Sequence, residues 1–153
     1  MTQHFSGTTC FFVFRRRAHA SQHTSLAMPL LPYQIESSKA FSEVTFDLEP
    51  VVQRLGFVVL ARQDLGELLR QHGGDYDEDY MIFTVCNYRL LDTLLSHAHA
   101  PAAPLPPRIW AWTCNGSTWL ACDQLAHQDG PATASRAIDE MNQRLIQIIS
   151  ETR

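Results

Sequence analysis

The chain has 153 residues, enough to bury a core in one domain, with 45% hydrophobic and 18% charged residues as in a globular protein. A formal charge of −4 supplies no basic stripe to neutralise phosphates, which argues against nucleic acid, and no run reaches the roughly 20 apolar residues of a membrane helix. The four cysteines form no CxxC and no metal-knuckle spacing, so the expectation is buried free thiols in a reducing, cytoplasmic setting.

Residues 1–30 read as a disordered leader ahead of a single domain at 31–153. The apolar run Cys10, Phe11, Phe12, Val13, Phe14 precedes Arg15, Arg16 and Arg17. A secretory signal carries its positive charge before the apolar run, not after it. The acid-free basic stretch that follows has a transit-peptide composition, which leaves an organellar or membrane-associated role open. Met28 stands just before the first structured segment and is an alternative start.

A short strand is expected at Tyr33 to Ser37. Val44, Leu48, Val51, Val52 and Leu55 then recur at helical spacing. Ser38 or Ser42 is the expected cap, and Gly56 the stop. Pro50 predicts a kink, or a helix that begins beside it. Phe57 to Ala61 reads as a strand apolar on both faces. Asp64 is expected to cap a short helix carrying Leu65, Leu68 and Leu69, ended by Gly73 and Gly74. The acidic run Asp75, Asp77, Glu78, Asp79 reads as a loop. A second doubly apolar strand spans Tyr80 to Cys86, and Leu90, Leu91, Leu94 and Leu95 mark a helix. Four prolines in 98–107 rule out regular structure there. Pro131 opens a closing amphipathic helix of about five turns through Ala134, Ile138, Met141, Leu145 and Ile148, with Asp129 as its expected cap.

The strongest local signal is Asn115-Gly116 between two strand-like runs. Asn and Gly best tolerate the two positive φ angles of a type I′ turn. A two-residue loop opposes Trp112 to Trp119, Trp110 to Ala121, Ile109 to Cys122 and Arg108 to Asp123. Alternation then puts Arg108, Trp110, Trp112, Cys114, Trp119, Ala121 and Asp123 on one face. Ile109, Ala111, Thr113, Thr118, Leu120 and Cys122 take the other, so Cys114 and Cys122 cannot form a disulfide. Both faces are apolar. Either helices lie on both sides, or a second copy or a ligand covers one of them. The expectation is a homodimer through Trp110, Trp112 and Trp119.

Element order and local signatures resemble the bacterial family called domain of unknown function 302. The matching pieces are Gly56 to Leu60 with Asp64-Leu65, then Phe83 to Asn87, then Leu105 to Ile109 leading into the hairpin and closing helix. Tyr88 stands where the family usually has proline, and Pro107 where many members carry cysteine. The missing second cysteine removes the basis for a thiol-pair or metal role at Cys86. The resemblance implies a compact α+β fold, often dimeric, and no reaction. The fold expected from all of this is a mixed or antiparallel sheet of four to five strands with helices packed on it.

Candidate sites are few. Cys86 ends a strand at the mouth of a helix, where a thiol pKa can fall, but a buried thiol beside a capping Asn87 is the simpler reading. Arg108 joins Cys86 and Asn87 as a candidate ligand-binding group. His97, His99 and His127 are the candidate metal ligands, and exposed loop histidines are their plainer reading. The acidic run lacks the glycine and closing glutamate of a calcium loop. No cofactor motif is present. The leading expectation is a non-catalytic homodimeric module for a small ligand or protein partner. The alternative is a thiol- or metal-dependent enzyme using Cys86.

Overall fold

The computed structural model describes residues 31–97, 104–127 and 129–153. The expected leader, His99 and most of the proline connector lie outside the described residues. The elements run β1 (Tyr33–Ser37), α1 (Phe41–Arg54), β2 (Val58–Asp64), α2 (Leu65–Gln71), β3 (Tyr80–Cys86), α3 (Tyr88–His97), β4 (Arg108–Cys114), β5 (Ser117–Cys122) and α4 (Ala132–Thr152). The five strands form one antiparallel sheet in the order β1-β5-β4-β3-β2.

The hairpin follows from its turn. Asn115 and Gly116 both have positive φ, 52° and 81°. The register pairs Ile109 with Cys122, Trp110 with Ala121 and Trp112 with Trp119, as the two-residue loop requires. Ile109, Ala111, Leu120 and Cys122 on one face are fully buried. Phe83 and Val85 of β3 join them in a single core with Val44, Leu48 and Val52 of α1 and Met141, Leu145 and Ile148 of α4. α1 and α4 therefore cover this face together, and α3 packs against α4. The possibility of helices on both faces of the hairpin is set aside. Trp110, Trp112 and Trp119 on the reverse side are only partly buried.

Several local expectations are corrected. α1 does not begin beside Pro50: it starts at Phe41 and continues past the proline to Arg54. Neither Ser38 nor Ser42 caps it. Ala40 occupies the cap position, and the Glu43 carboxylate accepts from the Ala40 N–H at 3.0 Å. Pro50 leaves the carbonyl of Phe46, a residue on the exposed side of the helix, without its usual donor. Asp129 does not cap α4. Pro131 does so through its carbonyl, which accepts from Ala134 and Ser135. β2 is an edge strand, so Val58 and Leu60 are exposed and not buried on two faces. A bulge between Val59 and Ala61 interrupts its ladder, a device that blunts open sheet edges.

Polar ties hold the helical layer in place. Lys39 Nζ donates to Asp47 Oδ2 and to the Thr152 carbonyl, both at 2.9 Å, joining the start of α1 to the end of α4. The Asn142 side chain accepts from Leu125 N at 2.8 Å and donates to its carbonyl at 2.9 Å. This fixes the chain leaving β5 against α4. Arg54–Glu151 and Arg89–Glu140 bridge α4 to α1 and α3.

Leu145 is fully buried between the helices and the sheet, whereas Leu95 of α3 is 57% exposed. Leu145→Ala is expected to lower the unfolding free energy by about 3 kcal/mol, and Leu95→Ala by less than about 0.5 kcal/mol. Urea unfolding of the two variants checks this. Equal losses would mean that the core does not lie where the helices meet the sheet.

Candidate functional site

The side of the sheet opposite α1 and α4 is built by strand alternation. Paired residues of antiparallel neighbours point the same way. The register thus places Glu36, Trp119, Trp112 and Tyr80 in one row across β1, β5, β4 and β3. The next row holds Gln34, Ala121, Trp110, Ile82 and Gln63. In a third row Arg108 lies between Asp123 and Thr84. The chain's three tryptophans all lie on this one face.

The aromatic row is in contact. Trp112 stacks on Trp119 with ring centroids 6.3 Å apart and planes at 18°. Tyr80 lies on its other side at 6.4 Å and 32°. Burial raises the Tyr80 phenol pKa, and the nearby Arg108 works against that rise. The small Ala121 beside Trp110 is itself buried.

Arg108 is held from two sides. Its Nε donates to Asp123 Oδ2 at 3.1 Å, and its backbone N–H reaches the same oxygen at 2.9 Å. The guanidinium carbon lies 4.9 Å from the centre of the Trp110 ring, a cation–π contact. Asp123 is buried while the Arg108 side chain remains 46% exposed. The result is a fixed cation presented at the border of an aromatic patch.

Of the other sequence candidates, Cys86 shares this face, beyond Thr84 on β3 and diagonal to Arg108. Its thiol pKa is raised by burial, the direction opposite to an activated nucleophile. Asn87 serves the fold. Its Oδ1 accepts from Leu90 N at 3.1 Å at the mouth of α3, and its Nδ2 donates to the Gly56 carbonyl at 2.9 Å. Gly56 has φ +81°, the left-handed conformation its place after α1 requires. The two described candidate histidines, His97 and His127, have separate partners. His97 Nε2 is 3.3 Å from Thr133 Oγ1, and His127 Nε2 is 2.8 Å from Asp139 Oδ1. Among the described residues no group of three or more potential metal ligands converges. The acidic run is tied into the hairpin instead. Glu78 Oε1 accepts from Asn115 N at 3.1 Å, and Asp79 faces Arg70.

Sequence reasoning missed Tyr80, Ile82 and Glu36 as members of the aromatic face. All three belong to strands joined to the hairpin only by long-range pairing. The single signal available was the alternation within each strand.

These features define a class: antiparallel α+β domains whose two longest helices cover one side of the sheet and leave an aromatic surface on the other. Within it, the chain belongs to the family described as Domain of unknown function DUF302, whose model matches residues 33–152. The fold is similar to a crystal structure of an uncharacterized conserved DUF302 protein from Bacillus stearothermophilus. The TM-score is 0.69 at 21% identity, covering 80% of this chain and 98% of that one. No curated protein matches the chain. Among the described residues no helix is long and apolar enough to cross a membrane.

Burial pushes the Cys122 thiol up to about 12 from an ordinary value of 9.0. The folded state therefore holds a proton that the unfolded state releases. Its stabilising effect is complete below about pH 9 and is lost as pH rises toward 12, at about 1.4 kcal/mol per pH unit. Urea unfolding from pH 8 to 11 is expected to show a steep alkaline decline that Cys122→Ala makes shallower. Identical slopes in the two proteins would rule out this coupling.

Proposed function

We propose that this domain is a non-catalytic homodimeric binding module, and that the aromatic sheet face is where a second copy docks. The observation that carries this is the placement of Tyr80, Ile82, Trp110, Trp112 and Trp119 on the sheet face opposite α1 and α4. Aromatic residues concentrate at the centres of protein interfaces, ringed by polar groups. Here the outer strands supply such a rim in Gln34, Glu36 and Gln63, all exposed.

The size of the face supports the same reading. Strands about 4.8 Å apart and outward rows about 6.7 Å apart give a footprint on the order of 500 Å² in projection. The accessible area of a surface with standing indoles is larger. That suits a small interface of about 600 to 800 Å² per partner. The buried, unbridged thiols Cys86 and Cys122 suit a reducing compartment such as the cytoplasm.

Sedimentation equilibrium tests the proposal. The native protein at tens of micromolar is expected at twice the chain mass. Trp112→Glu is expected at the chain mass with an unchanged far-ultraviolet circular dichroism spectrum, because a charge at the patch centre stays solvated only in the monomer. A native protein that sediments as a monomer across this range would defeat the proposal.

A further inference from the structure

Among the described residues the aromatic face carries one unmatched charge, and its position is specific. Glu36 is exposed on the edge strand β1 and has no ion pair among the described residues. Arg108 is exposed on the same face, held by Asp123 and by the Trp110 ring. Two of its five N–H groups face Asp123, and the remainder are available for a carboxylate.

These two residues are symmetrically placed about Ala121. From Ala121, one strand over and two residues along in one direction is Glu36. One strand over and two residues along in the opposite direction is Arg108. A twofold axis lying in the face, passing over Ala121 and perpendicular to the line joining them, exchanges the two positions. Neglecting sheet twist, the strands of the two copies then cross at roughly 70°, near the orthogonal mode of sheet packing. The same axis brings Trp110 over the position of the partner's Trp119. Ala121, the smallest side chain in its row, lies on the axis, where two sheets approach most closely.

We propose that two copies pack about this axis, with Arg108 of each protomer paired to the partner's Glu36. This rests on reading the aromatic face as the interface, and it adds the orientation and the specificity determinant. The pair forms twice per dimer. Arg108 reaches it already ordered by Asp123 and Trp110, so little side-chain freedom is lost on association. A like-charged residue at position 36 would meet Arg108 twice, which gives the contact its discriminating power.

The test is a double-variant cycle on the dimer dissociation constant, using the native chain, Glu36→Arg, Arg108→Gln and the two combined. Position 36 is exposed on an edge strand, and Asp123 keeps its bond from the backbone N–H of residue 108 when the side chain changes. Glu36→Arg is expected to weaken the native dimer at least tenfold. In the Arg108→Gln background the same change is expected to move the constant less than twofold. No effect of Glu36→Arg on the native dimer, or an equal effect in both backgrounds, overturns the pairing while leaving the aromatic interface standing. A native chain that never dimerises removes both. If Arg108→Gln does not fold, salt decides. The native dimer is expected to weaken between low and high sodium chloride, and Glu36→Gln to be insensitive. Equal salt dependence of the two overturns the pairing.

Discussion

The two-residue turn at Asn115-Gly116 governs which side chains of this sheet meet the helices. Its positive φ angles fix the pairing of β4 with β5. Side-chain alternation has a period of two, so a slip of one residue would pair Trp112 with Leu120 and put tryptophans and core residues on the same face. β3 and β1 are registered against this hairpin on either side. The position of the core and the composition of the open face both follow from that turn.

The two faces are apolar for different reasons. On the side of α1 and α4, residues from Ala111 and Cys122 up to Leu120 and Phe83 pack against the two helices and are fully buried. On the other side the residues are large aromatics standing beside one another, and they keep part of their surface in contact with water. Contiguous exposed apolar area favours association, which is the basis of the proposed dimer. The one ordered cation at its border is already matched by a buried carboxylate, which argues for a surface shaped in advance of any contact.

Local chemistry was legible in the sequence. The hairpin register, the Asp64 and Asn87 caps and the bounds of β3 all depend on residues a few positions apart. Long-range consequences were not legible. The partners of Trp112 include Tyr80, which reaches it only through a strand pairing that spans α3 and the proline connector. The edge position of β2 is likewise a property of sheet order, so its apolar run looked like a buried strand. Pro50 misled in the opposite direction: the helix extends on both sides of it although it removes one backbone donor. For the candidate site, sequence placed Arg108 and the three tryptophans together. It also offered Cys86 and the histidines as reactive groups, and only burial and distance distinguish those from chemistry.

Because all three tryptophans lie on the open face, their fluorescence reports on that surface alone. The most direct measurement is acrylamide quenching of the native protein over a dilution series from tens of micromolar to nanomolar. If a second copy covers the face, quenching is weak at high concentration. It then strengthens on dilution, and the emission maximum moves to longer wavelength with the same midpoint. Quenching and emission that do not change with concentration would contradict a dimer built on this face.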